Sequence, residues 1–199
     1  MRTTFTALAF LGAAGLAAAQ APVPSPAPAA SPAAAASAAP AAAAAPAPAP
    51  ELQKLAFLAG DWVHEETYSA GPMGAGSQGK ARSKAAWVLG NHHLYVIYAA
   101  KSPTAQIEGR AFLGFDPRSR QYYMDWYDSM GAATRYAGDF DAAGALVLNA
   151  DVNMEGRAAR AQFTIKPQPD GKVLFTNAVA GPDGAMKTVF ESRATAEKK

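Results

Sequence analysis

The sequence predicts an all-β fold: about ten antiparallel strands in up-and-down order, curled into a barrel behind one short N-terminal helix. Three observations predict it. Ten segments of alternating apolar and polar residues follow one another from Asp61 to Arg193, the connections between them are short and built of turn residues, and no helical period survives beyond Gly60.

The chain has 199 residues, 50% of them hydrophobic, with 18 Lys+Arg against 16 Asp+Glu, three histidines and no cysteine. Without cysteine there is no disulfide scaffold, zinc-thiolate site or thiol nucleophile. A formal charge of +2 with no cluster of Lys and Arg argues against a nucleic-acid partner, because phosphates are gripped by grouped cations.

Charge is unevenly placed. After Arg2 no charged residue occurs before Glu51. Residues 1–19 carry one positive charge, an apolar Ala- and Gly-rich run and the triplet Ala17-Ala18-Ala19, the pattern of a signal peptide cut before Gln20. The run is short of the roughly 20 strongly apolar residues a membrane span prefers, so export to the periplasm or medium is expected, with no membrane insertion after cleavage. Residues 20–50 read as a disordered linker. Ala21 to Pro50 holds 17 Ala and 9 Pro, a composition that blocks regular helix and buries too little to offset chain entropy. The globular domain is expected over residues 51–195.

Within it, Glu51 to Leu58 sets Leu52, Leu55, Phe57 and Leu58 near helical spacing before Gly60 ends the run. The candidate strands are Asp61 to Ser69, Gly79 to Leu89, His92 to Ala100, Gln106 to Phe115, Gln121 to Asp128, Ala133 to Phe140, Ala145 to Asn153, Arg157 to Ile165, Lys172 to Ala180 and Ala185 to Arg193. Their connections are hairpin chemistry, as at Gly90-Asn91, Asp116-Pro117-Arg118-Ser119 and Pro169-Asp170-Gly171, and short connections force antiparallel neighbours. Closure removes the exposed edges such a sheet would otherwise carry. Residues Gly71 to Gly79 form a glycine-rich connection near one open end and lack the Lys-Ser/Thr of a phosphate loop.

Period-two alternation separates an apolar face (Leu113, Tyr122, Met124, Trp126, Tyr136, Leu148, Phe163, Phe175) from a polar one that includes Glu108, Arg110, Asp125 and Arg135. About eight strands already enclose room for one small ligand, so an internal cavity is expected.

Gly60-Asp61-Trp62, after a short helix and opening the first strand, resembles the Gly-x-Trp signature of the lipocalin and fatty-acid-binding (calycin) superfamily. The resemblance implies a barrel end closed by Trp62, with Arg193 of the last strand packed on its indole. A narrower pattern runs through Leu58-Ala59-Gly60-Asp61-Trp62, Trp87-Val88-Leu89-Gly90, Gly109 to Asp116, Tyr122, Trp126-Tyr127-Asp128-Ser129, Gly131 and Gly138. It resembles the bacterial family known as domain of unknown function 1579 (DUF1579). That family is expected to be lipocalin-like and often exported, and it carries no established activity. Asn91-His92 follows Gly90 where many members have a second glycine and a cation, which leaves the role of this turn open.

Candidate ligand-binding residues are Trp87, Tyr98, Tyr122, Trp126, Tyr136, Phe163 and Phe175, since large rings line apolar pockets and tyrosine hydroxyls orient a guest. The same rings would equally serve a solid core. No metal site is expected. His92 and His93 are adjacent on a strand and point to opposite faces, His64 lies far away in sequence, and the superfamily's haem-binding members use a late-strand histidine absent here. One of the His92–His93 pair is expected as an outer strand residue and the other as a polar group at the mouth. No catalytic motif and no cofactor is indicated. The reading that follows is a binding module for a small apolar or amphipathic molecule. The alternatives are a small isomerase or hydrolase using Asp125 or a histidine at the mouth, and an envelope interaction protein with no ligand.

Overall fold

The computed structural model describes residues 45–70, 76–103, 106–154, 156–181 and 183–198. The expected leader, the linker up to residue 44 and residues 71–75 of the glycine-rich connection lie outside the described residues.

A nine-residue 3-10 helix, Pro50–Leu58, leads into ten strands: β1 (Gly60–Tyr68), β2 (Ser77–Val88), β3 (His93–Lys101), β4 (Gln106–Asp116), β5 (Gln121–Asp128), β6 (Ala133–Phe140), β7 (Leu146–Met154), β8 (Arg157–Pro167), β9 (Val173–Ala180) and β10 (Met186–Ala196). Each strand pairs antiparallel with the next, and β1 pairs with β10, so the sheet closes into a barrel. The registers place Trp62 opposite Ser83 and Ala196, His64 opposite Ala81 and Ala194, and Glu66 opposite Gly79 and Ser192. These residues therefore share the inner face.

The helix seals one end. Its Leu52, Leu55 and Leu58 are buried among the inner side chains, the Tyr122 hydroxyl donates to the Glu51 carbonyl at 2.8 Å, and the Trp62 indole N–H donates to the Leu58 carbonyl at 2.9 Å. A three-residue repeat puts Leu52, Leu55 and Leu58 on one stripe of a 3-10 helix, which is the stripe the barrel end receives. Behind it Leu94, Leu113, Tyr122, Met124, Leu146, Leu148 and Ile165 are buried, with Trp87, Phe115 and Phe140 partly buried against them.

Arg193 does not take the place its sequence position suggests. It stands opposite Glu65 on the outer face, where its guanidinium meets Glu191 at 2.8 Å in solvent. The physical reason is parity: β10 turns Ser192 and Ala194 inward, so the residue between them must point out. Trp62 is held by the helix instead of by an arginine.

The wall is not uniform. The β6–β7 ladder holds four paired positions, Ala137–Phe140 against Leu146–Asn149, whereas β7 and β8 pair at nine. A Cβ on Gly138 would run into the Val147 backbone, so the bare glycine allows the two strands to approach there. Towards the open end, Ala133–Tyr136 and Ala150–Met154 pair only with their other neighbours, and the wall parts beside Tyr136.

Candidate functional site

Above the sealed half, the interior changes character. Six rings follow one another around the wall: Trp126 meets Tyr98 at 5.5 Å between centroids, Tyr98 meets His64 at 6.0 Å, His64 meets Phe175 at 5.6 Å, Phe175 meets Phe163 at 6.3 Å and Phe163 meets Tyr136 at 6.0 Å. Strand alternation brings them together, because each sits at an inner position of β5, β3, β1, β9, β8 or β6. Trp126 lies flat over Gly109 on β4, where a Cβ would occupy the space of the indole. Its N–H donates to Asp128 at 2.9 Å.

Polar groups are set into this belt from β1. The His64 imidazole is 4% exposed, with Nδ1 3.0 Å from Ser192 Oγ and Nε2 2.8 Å from Ser83 Oγ. Burial lowers its pKa from 6.5 to about 4, so the ring is neutral at neutral pH. One step nearer the open end, the Glu66 carboxyl is 2% exposed. It accepts from the Tyr68 hydroxyl at 2.8 Å and from the Tyr98 hydroxyl. Burial raises its pKa, and the two tyrosine hydrogen bonds act in the opposite sense. The same burial and the neighbouring carboxylate raise both tyrosines. Across the barrel Asn177 meets Tyr136, while its Oδ1 is buried without a hydrogen-bond partner among the described residues. Tyr98, Trp126, Phe163, Phe175 and Asn177 keep partial exposure although they face inward.

Of the seven aromatic residues singled out in the sequence, the structure brings five together: Tyr98, Trp126, Tyr136, Phe163 and Phe175. Tyr122 belongs to the sealed end, and Trp87 packs against the core opposite Leu94. Two expectations about polar residues are corrected and one holds. Asp125 faces outward and pairs with Arg135 at 3.6 Å, so it cannot act inside the barrel. His92 lies in the β2–β3 turn at the sealed end, with Nε2 3.1 Å from the Pro46 carbonyl, and therefore not at the mouth. His93 is an outer strand residue, as alternation required, 2.8 Å from the Tyr123 hydroxyl. His64 and Glu66 were the residues sequence reasoning missed as a pair. The available signal was their even spacing with Trp62, which puts all three on the face the tryptophan occupies.

Among the described residues no group of three His, Asp or Glu could hold a metal ion. No helix among them is long and apolar enough to cross a membrane.

Comparison with known proteins agrees with the architecture. Rv2717c from M. tuberculosis superposes with a TM-score of 0.56 at 13% identity, covering 76% of this chain and 99% of its own. The S-type phycobiliprotein lyase CPES from Guillardia theta superposes with a TM-score of 0.52 at 12% identity, covering 76% of this chain and 99% of its own. At such identities the likeness is one of fold alone. No curated protein matches the sequence. The family described as "Protein of unknown function (DUF1579)" matches residues 47–195, the whole barrel with its sealing helix, and the chain belongs to that family.

Proposed function

We propose that this protein binds a small amphipathic molecule in the upper half of its barrel, the apolar part against the aromatic belt and the polar part towards Glu66 and Asn177. The belt carries the reading. A barrel filled only for stability has no use for a buried carboxyl, a neutral histidine and an unpartnered amide oxygen, each of which costs free energy to desolvate. Grouped under partly exposed rings, they form the mixed lining that small-molecule sites use for orientation. The mouth and the parted β6–β7 wall provide ways in. The resemblance to an S-type phycobiliprotein lyase adds a barrel precedent and no residue.

The test uses the full chain and the neutral apolar probe N-phenylnaphthylamine. Saturable fluorescence enhancement is expected, with affinity weakened about tenfold or more by Phe163→Ala or Phe175→Ala, each removing a belt ring. No saturable enhancement, or enhancement indifferent to both variants, overturns the reading.

The export expected from residues 1–19 is part of the same proposal: a carrier delivered outside the cytoplasm on an Ala/Pro-rich tether. N-terminal sequencing of the protein recovered from the envelope of producing cells is expected to begin at Gln20. A start at Met1 or Arg2 would refute cleavage.

A further inference from the structure

We infer that the polar end of the ligand is an ammonium group, so that this barrel selects amphiphilic amines over fatty acids and alcohols of the same length. The inference rests on the binding reading above and adds the chemistry of the head group.

Three features of the inner wall lead there. The first is its charge. Below the rim, the registers turn Glu66 inward and turn Lys80, Arg82, Lys84, Arg110, Arg135 and Arg193 outward. Asp128, the last residue of β5, lies at the open end, where one oxygen accepts from the Met130 and Ala132 amides of the turn and the other from the Trp126 indole. Among the described residues below the rim, no cation of β1, β2 or β10 turns inward beside Glu66. The second feature is the belt. Tyr98, which donates to Glu66, is linked ring to ring with Trp126, His64, Phe175, Phe163 and Tyr136 on the same inner wall, and aromatic faces attract a desolvated ammonium. The third is the Asn177 Oδ1, a buried acceptor with nothing donating to it, which an N–H of a primary ammonium would satisfy. A carboxylate head would meet Glu66 as a like charge and would leave that acceptor unpartnered. An alcohol would satisfy the acceptor and leave Glu66 without a counter-charge. Burial raises the pKa of Glu66, and an ammonium beside the carboxyl would act in the opposite sense.

The rival sits at the rim. Arg157 and Lys187 stand opposite Met154 and Val179, on the inner face at the open end, and both are exposed. An anionic head held there, with its tail in the belt, would reverse the preference.

Octylamine, octanol and octanoate should be compared as competitors of N-phenylnaphthylamine bound to the full chain at neutral pH. Octylamine is expected to displace the probe at concentrations about tenfold below either competitor. Glu66→Gln keeps a hydrogen-bonding group of the same size and is expected to bring the amine-to-alcohol ratio close to one, with octanol itself little changed. If the probe binds and octanoate displaces it as well as octylamine or better, the inference is wrong while the carrier reading stands, and the head-group role passes to Arg157 and Lys187. An unchanged ratio in a folded Glu66→Gln chain also overturns it. Failure of the probe to bind removes the carrier reading itself. The selectivity of the unaltered chain decides the matter even if the variant does not fold.

Discussion

The two halves of this barrel are made by the same strands, yet one obeys the rules of a protein core and the other breaks them. Towards the helix, a cluster of leucine, methionine and isoleucine sits at close to zero exposure, with Trp87, Phe115 and Phe140 partly buried against it, and the polar atoms among them, the Tyr122 hydroxyl and the Trp62 N–H, are satisfied by carbonyls of the helix. Towards the mouth, the inner positions are rings with partial exposure, a buried acid, a buried imidazole and an unsatisfied amide oxygen. Stability is the simplest account of the first arrangement. The second is destabilising locally and persists because the sealed half holds the wall in place.

If that division is right, the largest loss of stability comes from the sealed end. Trp62→Ala removes a side chain 8% exposed that is packed under the helix and bonded to it, and should cost about 3–5 kcal/mol in chemical unfolding. Trp126→Ala removes a ring of the same size from the open half and should cost clearly less, because part of its surface already meets solvent. Equal costs would mean that the upper half is as much core as the lower.

Acid should act on the upper half first. Burial holds His64 at about 4, so between pH 6.5 and 4 the folded chain binds fewer protons than the unfolded one. The contribution is therefore fully present above 6.5 and is lost as pH falls towards 4, by up to about 3 kcal/mol. Glu66 works with the opposite sign. Its raised pKa lets the folded chain keep a proton longer, so its contribution is present at low pH and fades as pH rises through its range. The groups facing Glu66 are the Tyr68 and Tyr98 hydroxyls, with His64 beside it on β1, Gly79 on β2 and Ser192 on β10. Unfolding curves across this range should lose stability on acidification in the parent chain and much less in His64→Gln. A His64→Gln chain with the same acid loss would place the effect elsewhere.

The junction between the halves can be tested at Gly138. Adding a methyl there forces β6 away from the Val147 backbone at the point where the four-position ladder begins to part. Gly138→Ala should cost about 1–3 kcal/mol and speed amide exchange at Leu148 and Asn149 before the other strands respond. Uniform acceleration around the barrel would show that the wall yields as one piece.

The sequence carried the architecture because alternation and turn chemistry are local signals, and the ten alternating segments agree with the turns between them. Tyr98, Trp126, Tyr136, Phe163 and Phe175 were legible as inward residues for the same reason. Their meeting in one belt was not, since it depends on barrel tilt and on which inner layer each strand contributes. Glu66 was hidden by its type: a glutamate in an exposed-looking His-Glu-Glu-Thr run gives no hint that one of two adjacent acids is buried. Only counting in twos from Trp62 separates Glu66 from Glu65. The parity that hides Glu66 also misplaces Arg193, which sits at a plausible distance along the chain and on the wrong side of the sheet.

Arg193 accordingly gives the smallest effect and a sharp one. If the guanidinium held the Trp62 indole, as the superfamily resemblance implies, Arg193→Ala would strip a cation–π contact and a packing partner from the sealed end and destabilise it by something near 1–2 kcal/mol. In this barrel Arg193 instead lies in solvent beside Glu191, 63% exposed along its side chain, and such a surface pair contributes little. Thermal unfolding of Arg193→Ala should therefore differ from the parent by less than about 0.5 kcal/mol, with Trp62 emission unchanged. A larger loss accompanied by a shift in tryptophan emission would return the arginine to the barrel end and remove the helix from its place as the sole seal. The burial of Leu52, Leu55 and Leu58 argues for the first outcome, because the helix that contributes them also accepts the indole N–H at the Leu58 carbonyl, and Trp62 is left only 8% exposed with Arg193 on the other face of the sheet.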